Sequence, residues 1–309
     1  MRPLRLAPLA TVLAAACAHA PATSPDGPAV SPAAAAAPAA APAPARPPGD
    51  EWFMSVQGGA GELRVSVGGA GGIPVVFVHG LGADLEVWRA QLDHVRAAGF
   101  RAVAYDQRGH GSSDRPSDGV YTIGALVDDL DRVVNALSLR RFVLVGHSMA
   151  GAVISAYAGA HPDAVAGLVY LDAAGSFEAV PRGAVRDLIA ADAARDAEGV
   201  RAAYVEMLGP KARPETRRRV LASAATLEPR AFASLRRSMI EAPSHDAFAR
   251  YHGPSVAIET GAQPMPFAAS AALGVRRVVL PDVSHWLMLD APGPTNAALD
   301  AFLETIPRA

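Results

Sequence analysis

A serine hydroxyl is a poor nucleophile at neutral pH, so a serine that does chemistry must be held where a base can take its proton. The run Phe142-Val143-Leu144-Val145-Gly146-His147-Ser148-Met149-Ala150-Gly151 supplies such a setting. Apolar residues that read as a buried strand lead through Gly146 and His147 to Ser148, and a helical pattern starts directly after it. A strand-to-helix turn this tight needs small neighbours. It lifts the serine hydroxyl above the sheet, beside the first N–H groups of the helix, where developing negative charge is stabilised. The chemistry that suits this arrangement is attack on an acyl carbonyl. A serine after Gly-His is also compatible with a plain helix N-cap, so the turn alone does not decide.

The elements around it must present that serine at a sheet edge. Short apolar runs alternate with amphipathic ones, the pattern of an α/β fold with a mostly parallel central sheet flanked by helices. Strands are predicted at 73–79, 101–106, 142–147, 166–172, 255–260 and 276–280, preceded by a hairpin at 52–57 and 63–67 around Gly58-Gly59-Ala60-Gly61. Helices are predicted at 85–98, 122–138, 149–160 and 295–306, with boundary signals at Thr122 and Pro162. Residues 173–253 are far too many for a single crossover helix and too many for a structureless loop. Helical periodicity at 185–194 and 214–225 marks them as a helical cap, inserted after the strand ending near Asp172 and lying over the C-terminal edge of the sheet, where open α/β sheets bind ligands. Arg217, Arg218 and Arg219 read as a solvated helix face rather than an anion site.

With the serine placed at a strand end, Gly146-His147-Ser148-Met149-Ala150 resembles the nucleophile elbow of the α/β-hydrolase superfamily. One departure is plain: Ala150 stands where the second glycine of G-x-S-x-G is expected, and Gly151 follows. The likeness extends to Val75-Val76-Phe77-Val78-His79-Gly80-Leu81-Gly82, which ends a strand in a His-Gly turn as the family's oxyanion loop does. It also takes in the loop from Asp106 to Asp114. The resemblance implies an oxyanion hole built from the N–H groups of Leu81 and Met149. It also implies that His79 holds its loop rather than acting as a base, and that Arg108 and His110 pack beneath the site.

Of the nine histidines, His285 stands in the place of the family's catalytic base, in Val278-Val279-Leu280-Pro281-Asp282-Val283-Ser284-His285-Trp286. Trp286 is then a pocket wall, with His147 and Trp88 as further candidate pocket residues. The acid is the open assignment. Family members usually carry an aspartate three residues past a glycine, after the strand before the histidine loop; here the segment is Ile258-Glu259-Thr260-Gly261-Ala262-Gln263-Pro264, with no carboxylate at that position. A smaller set places the acid after the strand that follows the elbow helix, and in this chain that position is Asp172. It would accept the imidazole N–H and fix the tautomer of the base. The same aspartate is also compatible with a simple cap on the turn into the lid. Glu259, Asp282 and the absence of any acid are the alternatives.

The expected activity is therefore hydrolysis of a carboxylic ester, or a related acyl substrate, through an acyl-serine intermediate with a Ser148-His285-Asp172 triad. The same triad suits an acyltransferase or cleavage of a lactone or of a C–C bond beside a carbonyl. A non-catalytic binding protein on the same fold is the reading from a different class. No HExxH, paired CxxC, dinucleotide fingerprint or phosphate loop is present, so no metal and no cofactor is expected. Serine at 148 disfavours the carboxylate-nucleophile branches of the superfamily.

Composition sets the remaining bounds. The 309 residues are 50% hydrophobic and 19% charged, with a net charge of −2, which disfavours nucleic acid as the main partner. A small-molecule acyl substrate is the expected partner, and the oligomeric state is not legible. Arg2 and Arg5 precede a short apolar stretch, and Leu13-Ala14-Ala15-Ala16-Cys17 resembles a bacterial lipobox. The expectation is a signal peptide over 1–16, Cys17 as lipid anchor and first mature residue, and an Ala/Pro-rich linker over 17–49. The domain then spans 50–309, with the cap at about 173–253, in an exported protein tied to a membrane only through that anchor.

Overall fold

The ends of two neighbouring parallel strands set the geography of this molecule. In the computed structural model, which describes residues 51–261 and 263–307, Val78 lies beside Gly146 at the C-terminal ends of their strands. The segments Gly80–Gly82 and His147–Ser148 therefore emerge side by side. The signal segment 1–16, Cys17 and the linker 17–49 lie outside the described residues.

In chain order, β1 (Trp52–Gln57) and β2 (Glu62–Gly68) form the predicted hairpin, followed by β3 (Val75–Val78). A 3₁₀ turn (Leu85–Trp88) runs into α1 (Arg89–Ala97). Next come β4 (Ala102–Tyr105), α2 (Ile123–Ala136), β5 (Phe142–His147), α3 (Ala150–Ala160) and β6 (Val165–Leu171). The cap holds α4 (Arg182–Ala193), α5 (Ala197–Leu208), α6 (Pro214–Ala224) and α7 (Pro229–Glu241), and α8 (Ser244–Phe248) leads back toward the sheet. The chain closes with β7 (Ser255–Glu259), α9 (Ala269–Leu273), β8 (Arg276–Val279), α10 (Leu287–Asp290) and α11 (Pro292–Leu303).

All eight strands join one sheet in the order β1-β2-β4-β3-β5-β6-β7-β8, with β1/β2 and β2/β4 antiparallel and the rest parallel. The chain passes from β3 outward to β4 and then returns across β3 to β5. The strand order thus reverses between β3 and β5, and a crevice opens at the C-terminal ends of strands at such a point. β3, β4, β5 and β6 are buried along their whole length, which is why they read as unbroken apolar runs rather than alternating ones.

The predicted strands are all present. The helix expected at 85–98 is instead a 3₁₀ turn followed by α1, because the Asp84 carboxylate accepts from the Glu86 N–H and tightens the first turn. Thr122 caps α2 through its hydroxyl, which accepts from the Ala125 N–H. The last helix starts at Pro292, not 295, with proline in its first turn, where no intrahelical N–H is needed. α3 is built of small residues and is buried nearly all round. Gly159 lies so close to the backbone of Ala247 in α8 that a Cβ there would sit 2.2 Å from its carbonyl oxygen.

The cap is pinned at several points. Asp192 is buried and accepts from Arg195 and Arg236, joining α4 to α7. The reading of Arg217 to Arg219 as a solvated face is corrected in part. Arg217 donates to the Gly209 carbonyl at 2.6 Å and Arg219 to Asp84 at 2.7 Å, so two of the three tie α6 to its surroundings. Only Arg218 is largely exposed.

Candidate active site

Ser148 follows β5 directly and has φ of +55°, a left-handed conformation that costs a non-glycine residue about 1–3 kcal/mol and persists only where its surroundings enforce it. Three backbone hydrogen bonds do so here. The Ser148 N–H donates to Leu171 O at the end of β6, and its carbonyl accepts from the N–H groups of Gly151 and Ala174, both at 3.0 Å. The turn also explains the departure at Ala150. The side chain of Ala150 is accommodated in the core, whereas a Cβ on Gly151 would lie 2.1 Å from the Ala174 carbonyl oxygen. Glycine is therefore needed at 151, where the helix meets the chain leaving β6. Gly80 is needed for a related reason: a Cβ there would come within 2.9 Å of the Ser148 Cβ.

Across the crevice, the His285 Nδ1–H donates to Asp172 Oδ2 at 2.7 Å. Asp172 follows β6 and, like Ser148, has a positive φ of +41°. Its other partners come from the end of β7: the Thr260 N–H donates to Oδ1 at 3.0 Å, and the Thr260 hydroxyl lies 3.2 Å from both oxygens. Burial alone would raise the Asp172 pKa. The His285 hydrogen bond, the charge of that ring and the Thr260 N–H outweigh it and hold the carboxyl below its usual value. The aspartate is thus an anion directed at one nitrogen of His285, leaving Nε2 as the face for chemistry.

The other candidate acids are elsewhere. Glu259 is buried at the sheet edge, where it accepts from Arg277 Nε at 2.7 Å and from the Ser270 hydroxyl and N–H. Asp282 is almost fully exposed and pairs with Lys211.

Leu81 and Met149 are both buried, and among the described residues neither N–H has a protein acceptor. They follow the adjacent strands β3 and β5, which suits a pair of donors aimed at one oxygen. His79 fixes the first of them. Its Nδ1–H donates to the Gly80 carbonyl at 2.7 Å, and its Nε2 accepts from the Gln107 N–H at 3.0 Å. The Gln107 amide in turn donates to the His79 carbonyl at 2.6 Å. The Gly80 carbonyl and the Leu81 N–H belong to one peptide unit, so His79 orients that donor. Burial pushes the His79 pKa down to about 4, which keeps the ring in the neutral form that both bonds require.

His147 is a tether rather than an open pocket surface. It is buried, and its Nε2–H donates to the backbone carbonyl of His285 at 2.9 Å, holding the chain from which that ring projects. Its ring stands 4.7 Å from the His285 ring, and burial, reinforced by that neighbour's charge, pushes its pKa down to about 3. Trp286 packs edge-on against His285 and tilted against His147, and Trp88 meets His147 edge-on. Both tryptophans are buried, so with His147 they form a wall behind His285. Arg108 and His110 lie below it. The Arg108 guanidinium donates to both oxygens of buried Asp129, and the His110 Nδ1–H donates to the Arg108 carbonyl.

Three contributors are not evident from local sequence. Thr260 supports Asp172. Asp290 is buried and accepts from the Ser284 N–H and hydroxyl, and from the Arg213 N–H at the start of α6, joining the histidine loop to the cap. Tyr204, on α5, donates its hydroxyl to the Leu81 carbonyl at 2.8 Å. Their only sequence signal is residue type, because each acts on a partner distant along the chain.

Comparison with known proteins bears on the fold. Residues 73–204 match the family model described as alpha/beta hydrolase fold. Over 90 residues the chain is 43% identical to the non-heme chloroperoxidase CPO-A1 of Kitasatospora aureofaciens, a match covering 29% of this chain and 32% of that protein. The chain thus spans about a third of the length of that curated relative. Among solved structures, an esterase from Thermogutta terrifontis is 26% identical, with a TM-score of 0.70 over 82% of this chain and 98% of that one. A bromoperoxidase from Bacillus anthracis is 19% identical, with a TM-score of 0.71 over 82% and 100%. The eight-stranded sheet, the strand-end serine and these likenesses together give the chain the α/β-hydrolase fold.

Proposed function

We propose that this protein is a serine hydrolase acting on a carboxylic ester, with Ser148 as nucleophile, His285 as general base and acid, and Asp172 as the residue that orients His285. The observation that carries the reading is the 2.7 Å contact of Asp172 with His285 Nδ1, set beside a serine in a left-handed strand-to-helix turn. The Ser148 oxygen attacks the acyl carbonyl as His285 Nε2 takes its proton, and the carbonyl oxygen gains a negative charge facing the Leu81 and Met149 N–H groups. The C–O bond to the leaving alcohol then breaks, and the His285 proton passes to that alcohol. Water repeats the sequence on the acyl-serine: His285 removes its proton, the hydroxide equivalent adds to the carbonyl, and Ser148 leaves with the proton as the acid departs. The likeness to an esterase along nearly its whole length supports the reading.

The experiment is labelling with a fluorophosphonate probe beside a Ser148→Ala control, followed by a panel of esters of graded acyl length. Labelling lost in the variant is the expected result. A folded wild-type protein that neither labels nor cleaves any ester overturns the proposal in favour of a binding role.

The likeness to a chloroperoxidase favours one second reading. Hydrogen peroxide in place of water at the second step would add its oxygen to the acyl carbon and release a peracid, which oxidises halide in solution. Halide oxidation that needs both peroxide and a carboxylic acid, and that is lost in Ser148→Ala, is the result expected of it.

As to location, Cys17 as a lipid anchor belongs to the same proposal. Cys17→Ser should release the protein from the membrane fraction, and an unchanged distribution overturns that part.

A further inference from the structure

Leu81 sits between two peptide units, and each is held by its carbonyl. The unit that carries the Leu81 N–H is fixed by His79, which donates to the Gly80 carbonyl at 2.7 Å. The next unit is fixed from the cap: Tyr204, on helix α5, donates its hydroxyl to the Leu81 carbonyl at 2.8 Å, across 123 residues of chain. Tyr204 is 1% exposed, so this hydroxyl has no water to bond instead, and the carbonyl would lose a buried partner without it.

The approach is built into the loop. Gly82 has φ of +64°, and a Cβ at that position would lie 2.1 Å from the Tyr204 oxygen. Only a glycine lets the tyrosine reach the carbonyl. The ring is seated edge-on against Phe232 of α7 and 6.2 Å from Trp286, the residue after His285. One cap side chain therefore touches the oxyanion loop and packs against the wall behind the base.

On the reading of the site as an acyl-transfer centre, we propose that Tyr204 is a positioning residue for the Leu81 N–H, coupling the seating of the cap to stabilisation of the transition state. Two peptide units joined at one Cα turn about only two torsions. Holding the second carbonyl restrains the ψ of Leu81, and holding the first restrains its φ. With both held, the N–H keeps its direction while charge develops on the substrate oxygen, and no reorganisation is needed at that moment. A cap that is displaced carries Tyr204 away and releases one of the two restraints. Ester cleavage is then efficient only with the cap seated, although no cap residue need enter the reaction.

The test compares Tyr204→Phe with wild type in the full chain, using kcat, KM, thermal stability and affinity for an arylboronic acid. The boronic acid adds to the serine as a tetrahedral adduct, one of whose oxygens occupies the position of the oxyanion. Loss of an oxyanion donor typically costs about 10²–10³ in kcat, and here the donor stays but is less well aimed, so the expected fall is about tenfold. KM should stay within about twofold, and boronate affinity should weaken in parallel with kcat. Phe232→Leu serves as the folding control, since it loosens the seat of the ring and keeps the hydroxyl.

Unchanged kcat and boronate affinity in Tyr204→Phe, with an active wild type, overturn this inference and leave the hydrolase reading intact. Activity lost by both variants in proportion to their loss of thermal stability also overturns it, because Tyr204 would then be a structural anchor alone. A wild-type protein that does not cleave esters removes the hydrolase reading, and this inference falls with it.

Discussion

Asp172 and His285 meet at 2.7 Å although 113 residues separate them, because β6 and the loop after β8 end on the same edge of one sheet. The contact lies within the sheet layer and not within the cap. The Asp172 side of the contact is anchored on β6 and β7, while His285 is held on its loop by His147 and Asp290.

Asp172→Asn should lower kcat by about 10⁴, since an amide at that position favours the wrong imidazole tautomer. Glu259→Gln should leave kcat within a few-fold of wild type and lower stability, because it breaks the buried contact with Arg277. Steady-state kinetics and urea denaturation of the two variants separate the roles; a crippled Glu259→Gln with a mildly affected Asp172→Asn would reverse the assignment.

Acid should destabilise the fold well before its carboxylates titrate. His79, His110 and His147 are buried, and burial pushes their pKa values down from 6.5 to about 4, 3 and 3. Between pH 6.5 and these values the unfolded chain binds protons that the folded chain does not, so stability is full above about pH 6.5 and falls as pH drops. Three such groups give a slope of up to roughly 4 kcal/mol per pH unit near pH 5. His110→Asn preserves a donor toward the Arg108 carbonyl and removes one titrating group. Urea midpoints from pH 7 to 4.5 should then fall about a third less steeply than in wild type.

Gly151→Ala should destabilise the protein by several kcal/mol, as the new methyl meets the Ala174 carbonyl oxygen in the turn that holds Ser148. Ala150→Gly, which restores the more usual elbow pattern, should cost about 1 kcal/mol through helix propensity and cavity, with little change in kcat. Denaturation midpoints of the pair show which glycine this turn requires.

Asp290→Asn should loosen the cap and the histidine loop together. Both carboxylate oxygens accept N–H donors, and an amide offers only one acceptor, so the loss is roughly 2–3 kcal/mol. Faster proteolysis within residues 173–253, accompanied by a lower kcat, is the expected signature.

Ser148, His285 and Asp172 were picked out by the elbow pattern and by resemblance to the α/β-hydrolase superfamily, and the structure brings Asp172 and His285 into contact. The elements were legible because buried strands such as β5 open on unbroken apolar runs, here Phe142 to Val145. Thr260 and Tyr204 were not. Each acts through a hydrogen bond to a partner 88 or 123 residues away, and nothing in the local pattern of α5 or the end of β7 distinguishes them from core residues. The short helices α9 and α10 were missed because five and four residues carry too little periodicity. The cap was legible as an insertion, but its internal ties through Asp192 and Asp290 were not.

Asp172 stands at the end of β6, and β7 supports it through the Ile258 carbonyl, which accepts the Asp172 N–H, and through Thr260. On the proposed assignment, the stretch just beyond Thr260 carries no reacting group. Descendants of this sequence can lengthen, shorten or recompose that stretch without passing through an inactive ancestor, so among close relatives it should be the first part of the sheet's upper rim to diverge.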